Sequence, residues 1–142
     1  MYNTEGKIMD TSKEYIKMCE KAEEIQELPA RRYNGSLVFH PEHGMRVMYW
    51  SKHHGSPPPY YFSKPAIWLP RQDQLQKIWQ DEFNNVPLTG MIDEFYDWVR
   101  NLSPYNNPDY LEWSMEQCWL AFVMKEKYQK HWNGKDWVCI NK

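Results

Sequence analysis

Cysteine is scarce in this chain, and its placement argues against any bridge. Cys19, Cys118 and Cys139 are odd in number and far apart. A disulfide framework uses an even set, and a structural zinc site uses closely spaced pairs, so neither is expected. Reduced, mostly buried thiols of a cytoplasmic protein are the simplest reading. No apolar run approaches the roughly 20 residues that span a bilayer, so no membrane contact is expected. The N-terminus has no apolar stretch followed by a small-residue cleavage site, so no signal peptide is expected either. There is no Gly-x-Ser-x-Gly elbow, no glycine-rich phosphate loop and no His-Glu-x-x-His pair. Internal repeats and low-complexity tracts are also missing. The sequence therefore nominates no catalytic residue and no cofactor, and it leans away from an enzyme.

What the chain has in excess is aromatic surface. Of 142 residues, 42% are hydrophobic, 25% are charged and 16% are aromatic, with eight Trp and ten Tyr. The first two values fit a soluble globular protein. The third lets a small protein build a core from few side chains, because each ring buries a large area. Most of the aromatics are expected in the core, and the remainder as a surface for a ligand or a partner. The length fits a single domain over 10–142 behind a loose tail over 1–9.

Along the chain, Thr11 and Glu14 have capping-box spacing. Tyr15, Met18, Cys19, Ala22 and Ile25 follow as one apolar helical stripe, closed by Pro29. The texture then changes. Leu37-Val38-Phe39 and residues 45–50 predict short strands around a turn at His40-Pro41-Glu42-His43-Gly44. Three prolines at 57–59 predict an exposed extended loop, because proline cannot donate to a strand ladder. Tyr60-Tyr61-Phe62 and residues 66–69 return the chain to the sheet.

The most informative stretch is 66–79. Apolar residues run up to Pro70, and an amide-rich segment with Leu75, Ile78 and Trp79 at helical spacing follows. That is a strand handing over to a helix, with Pro70 in the first turn. Residues 84–87 break this helix. Thr89 is the expected cap of the next, with Ile92, Phe95, Val99 and Leu102 inward. Asn107-Pro108 starts a last long helix burying Leu111, Met115, Cys118, Trp119 and Phe122. Asn133-Gly134 then marks a C-terminal hairpin. The expected fold is α+β: a small antiparallel sheet packed with about four helices.

Charge is segregated behind a net value of −2. Residues 31–71 carry Arg31, Arg32, Arg46, Lys52, Lys64 and Arg71 against Glu42 alone. Residues 72–124 carry nine acidic side chains and two basic ones. A basic, aromatic region attracts phosphates and stacks bases, so Arg46, Tyr49 and Trp50 are binding candidates and nucleic acid is one candidate partner. The plainer account is that the basic sheet faces acidic helices of the same domain or of a second subunit. At the 66–79 stretch, Arg71, Gln72 and Asp73 form a second candidate binding set. Their alternative role is a capping network on a polar helix face.

His40 and His43, three residues apart, are the metal candidates. Glu42 offers a carboxylate, and His53 and His54 lie nearby in sequence. A metal-dependent hydrolase would need these groups to converge around an open coordination position. Their spacing fits no zinc motif, and exposed loop histidines are the simpler account. Asp81-Glu82 and Asp93, Glu94 and Asp97 are explained as solvated helix faces.

The run Asp10-Thr11-Ser12-Lys13-Glu14-Tyr15, continuing to Gln26, resembles segments of small uncharacterised proteins of phages and prophages in Gram-positive bacteria. So do Trp68-Leu69-Pro70-Arg71-Gln72-Asp73-Gln74-Leu75-Gln76 and Trp132-Asn133-Gly134-Lys135-Asp136-Trp137-Val138. The resemblance covers about a quarter of the chain, in the same order. It implies phage origin and expression in the cytoplasm of a bacterial host, and it transfers no functional residue. The leading expectation is a non-enzymatic accessory protein acting through an unknown protein partner or self-association, with an apolar surface patch near Trp68 to Trp79. Nucleic-acid binding by residues 31–71 is the alternative, and a metal-dependent hydrolase the second.

Overall fold

A computed structural model describes residues 9–28, 35–47, 66–84, 86–101 and 113–140. Among the described residues the protein is α+β, with five helices, a three-stranded antiparallel sheet and a two-stranded hairpin near the C-terminus. None of the described helices is long and apolar enough to cross a membrane. The chain divides into two compact units. One is Thr11–Arg71; the other is Met1–Asp10 with Gln72–Lys142.

The first unit is a sheet with a helix on it. Helix α1 spans Lys13–Lys21, and its N-cap is Ser12, not Thr11: the Ser12 hydroxyl accepts from the Tyr15 N–H at 3.2 Å. The capping function is thus met one residue later than the spacing predicts, leaving Glu14 exposed in the first turn. The expected stripe of Tyr15, Met18, Cys19, Ala22 and Ile25 is fully buried. The helix does not continue to Pro29, however. Ala22 leaves helical geometry at ψ 73°, and a short helix α2 follows over Glu23–Gln26.

Strands β1 (Leu37–His40), β2 (Gly44–Val47) and β3 (Ile67–Leu69) pair antiparallel in the order β2-β1-β3. Residues Pro41, Glu42 and His43 make the hairpin loop, with His43 N–H bonded to the His40 carbonyl at 3.1 Å. Gly44 follows at φ +77°, the left-handed residue that closes a loop of this length. Helix α1 packs on β3. The triple proline, His53, His54 and residues 48–65 generally lie outside the described residues, as does Tyr33.

The second unit is built around helix α5 (Met115–Tyr128), on which helices α3 (Gln72–Glu82) and α4 (Leu88–Arg100) pack. Gln117 through Met124 are all buried. A helix buried on every side has no solvent face, which is why its apolar residues show no stripe. Ser114 caps α5 through a complete capping box with Gln117, and the Ser114 hydroxyl donates to the Asp10 carboxylate at 2.5 Å. The expected start at Asn107-Pro108, with Leu102 and Leu111, lies outside the described residues. Met115 is exposed, contrary to expectation, because it is the first residue after the cap.

Helix α3 begins at Gln72, so Pro70 precedes the first turn instead of occupying it. Asn84 at φ 60° ends that segment in the left-handed region. Helix α4 starts at Leu88 behind Pro87 with no side-chain cap, so Thr89 is already helical. Strands β4 (Lys130–Trp132) and β5 (Trp137–Cys139) form the expected hairpin. Its turn is longer than a two-residue Asn-Gly loop. The Asn133 side-chain oxygen accepts from the N–H groups of Lys135 and Asp136 at 2.8 and 2.9 Å, and Gly134 takes φ +100°.

Candidate functional site

The segment 66–79 is where the sequence concentrates its specificity, and its side chains are spent on the fold. Ala66 through Pro70 are buried, as are Gln74, Leu75, Ile78 and Trp79. No apolar side chain of this segment is therefore exposed, and the expected surface patch near Trp68 to Trp79 is not formed. The unit boundary falls between Arg71 and Gln72. The half-buried Arg71 guanidinium donates from Nη1 to the Gly35 carbonyl at 2.7 Å. It thereby holds the turn that leads into β1 against the end of β3. Gln72 is half-buried and Asp73 is exposed in the first turn of α3, where the helix dipole favours a carboxylate.

Two other residues define this segment: Gln26, which does not stand out in the sequence, and Tyr15, expected in the buried stripe but with no partner indicated for its hydroxyl. Gln26, on α2, donates from Nε2 to the carbonyls of Trp68 (2.9 Å) and Cys19 (3.1 Å) and accepts the Trp68 N–H on Oε1 at 2.9 Å. Its amide pairs with β3 much as a neighbouring strand would. Tyr15 donates its hydroxyl to the Pro70 carbonyl at 2.6 Å. The kink at Ala22 is what brings Gln26 round, and a break without proline or glycine gives no warning in sequence.

His40 and His43 do meet. Their ring centroids are 4.5 Å apart at an interplanar angle of 48°. His40 is buried, and its Nδ1 accepts the Glu42 N–H at 3.1 Å; His43 and Glu42 are exposed. This is a hairpin-loop arrangement, with one imidazole nitrogen already used by the loop backbone. Among the described residues no group of three or more His, Cys, Asp or Glu side chains is placed to hold a metal ion.

Arg46 is exposed on β2 and donates to the Met45 carbonyl at 2.9 Å. Tyr49 and Trp50, its expected partners in a stacking surface, lie outside the described residues.

The α3 and α4 carboxylates lie on solvated faces. Asp81 pairs with Lys77 at 2.8 Å, Asp97 with Arg100 at 3.4 Å, and Glu82 with Lys127. Burial lifts the Glu116 carboxyl above its ordinary range, and the Asp10 carboxylate adds to this. Burial also pushes the Cys118 thiol up to about 11, so it is no nucleophile at neutral pH.

The feature the sequence reading missed is on α4. Phe95 stacks on Trp119 at 3.9 Å and Trp98 meets Phe122 at 5.4 Å, which fixes the rotation of the helix and turns Met91 inward. Ile92, expected inward, is consequently 45% exposed, between Leu88 at 61% and Tyr96 at 60%. These three sit at four-residue spacing and stack along one side of the helix. The signal was present as an apolar sector wider than one contact covers: Leu88, Met91, Ile92, Phe95, Tyr96, Trp98 and Val99.

No protein-family model matches the chain, and no curated protein and no solved structure matches it.

Proposed function

We propose that this chain is a phage-derived accessory protein that works by protein–protein contact in the cytoplasm of a bacterial host. The observation that carries the reading is the exposed apolar row Leu88, Ile92 and Tyr96 on α4. Single exposed apolar residues are ordinary, whereas a row on one helix face is the form in which helices recognise partners. The resemblance of residues 10–26, 68–76 and 132–138 to phage and prophage proteins supports the setting. Among the described residues, burial raises the Cys118 thiol and the α3 and α4 carboxylates face solvent.

The test is a photo-crosslinking residue placed at Tyr96 in the bacterial host, with Asp81 on the polar face of α3 as the control position. A discrete adduct from position 96, lost when Leu88→Asp is added, is the expected result. No adduct, or the same adducts from both positions, overturns the reading.

A further inference from the structure

The row on α4 has a charged border, and the border narrows what fits it. On a helix, Asp93 and Asp97 follow Leu88, Ile92 and Tyr96 around the cylinder on the side away from the buried Met91 and Phe95. Both carboxylates are exposed. The basic side chain on this border is Arg100, and its contacts are informative. Its guanidinium bonds Asp97 at 3.4 Å and lies over the Tyr96 ring at 5.4 Å from the centroid. With Arg100 and Asp97 each more than 60% exposed, this is a weak surface pair that a competing cation can replace. The helix thus displays on itself a contact that an incoming cation would make, a carboxylate on one side and an aromatic face on the other.

Resting on the protein-contact reading above, we propose that the Leu88–Ile92–Tyr96 row docks an amphipathic helix of a partner protein, with Lys or Arg bordering its apolar stripe. Apolar side chains of that helix would fill the gaps between the three anchors. Its cations would meet Asp93, Asp97 and the Tyr96 ring. The row extends about 12 Å at 1.5 Å per residue, so two to three turns of a partner helix cover it. A second copy of this chain fits less well. Symmetric antiparallel pairing about Ile92 sets the Asp93 side chains of both copies near each other, and juxtaposed like charges disfavour that arrangement.

The experiment uses the full chain and two fluorescein-labelled helical peptides of the same Leu stripe, one bordered by Lys and the other by Glu. Binding is followed by fluorescence anisotropy at physiological salt. The Lys peptide is expected to bind and the Glu peptide to bind at least tenfold more weakly. Ile92→Asp and Tyr96→Ser should each weaken the Lys peptide about tenfold or more, a loss typical of a contact anchor. Asp93→Lys with Asp97→Lys should reverse the preference between the two peptides. All four positions are exposed, and unchanged melting temperatures confirm that the variants fold.

Equal binding of both peptides removes the basic partner while leaving the contact reading intact. Lys-peptide binding that ignores Ile92→Asp overturns the site. A concentration-dependent dimer that Ile92→Asp dissolves assigns the row to a second copy and overturns the proposal, again without touching the broader reading. Absence of any discrete adduct from position 96 in cells would instead remove both.

Discussion

In the unit of Thr11–Arg71, side chains serve the backbone of the sheet. Gln26 takes both the N–H and the carbonyl of Trp68, Tyr15 takes the carbonyl of Pro70, and Arg71 takes that of Gly35. In the unit built around α5, rings fill the space between helices. Phe95, Trp119, Phe122, Trp79 and Trp98 form one cluster of stacked and edge-on contacts. The difference follows from secondary structure. A strand of three residues cannot satisfy its own backbone, so β3 needs outside partners for every group that faces away from β1. A helix satisfies its interior backbone by itself, and what it lacks is complementary volume. Aromatic rings supply that volume at a cost: the indole N–H groups of Trp79 and Trp119 are buried with no partner among the described residues. Trp68 shares that cost in the sheet unit, where its backbone is paired but its indole is not.

The largest expected effect is in the ring cluster. Phe95→Ala removes the side chain stacked at 3.9 Å on Trp119 and should cost about 3–5 kcal/mol. Urea unfolding followed by tryptophan fluorescence measures it. Phe95→Leu keeps most of the volume and should cost clearly less. Equal losses for the two would mean that ring geometry, not volume, holds this unit. The matching change in the sheet unit is Gln26→Leu, which conserves size but strips partners from the Trp68 and Cys19 backbone. It should cost about 2–4 kcal/mol, since buried amide groups are left unsatisfied. A neutral Gln26→Leu would break the comparison outright. Tyr15→Phe comes next at about 1–2 kcal/mol, because the ring stays while the hydroxyl's bond to Pro70 goes.

The two units also differ in how far the sequence reveals them. The apolar stripe from Tyr15 to Ile25, across α1 and α2, was legible because amphipathic periodicity reports which face is buried, and all five of its residues are buried. The β1–β2 hairpin and the Asn133-Gly134 turn were legible because turn chemistry is local. Gln26 was not, since a polar residue on a helix reads as solvated until the kink at Ala22 aims it at β3. The rotation of α4 was illegible for a related reason. An apolar sector as wide as Leu88 to Val99 is compatible with several buried faces, and only the stack of Phe95 on Trp119 selects one. The candidate site at 71–73 was legible as a boundary. The role of Arg71 as a tie to Gly35 depends on a partner 36 residues away in sequence.

Thiol chemistry sharpens the contrast in burial at a smaller scale. Burial raises Cys118 from 9.0 to about 11. A group whose folded value is raised contributes stability that is intact below its unfolded value and disappears as pH climbs through the folded one. The protein should therefore lose stability between about pH 9 and 11, and Cys118→Ala should flatten that limb of a denaturation series. At pH 8, Cys139 is exposed and should react with a thiol reagent in the native state, whereas Cys19 and Cys118 should react only on unfolding.

The smallest effect tests how firmly a side-chain-to-backbone bond holds its partner in the helical unit. From α3, Gln80 donates its side-chain amide to the Val86 carbonyl at 3.0 Å, just ahead of α4. That bond holds Val86 over Gly90, where an added Cβ would lie 2.7 Å from the Val86 side chain. Gly90→Ala brings two opposed terms. Alanine is favoured over glycine inside a helix by about 1 kcal/mol, while the clash forces Val86 off its anchor. Because Val86 is β-branched and tied at its carbonyl, the clash should win, leaving a net loss of about 0.5–1 kcal/mol. Shortening the obstructing side chain should reverse the sign, so that Gly90→Ala in a Val86→Ala background is stabilising by about 1 kcal/mol. A thermal double-mutant cycle separates the cases. If Gly90→Ala stabilises in both backgrounds, the Gln80 bond does not hold Val86 in place.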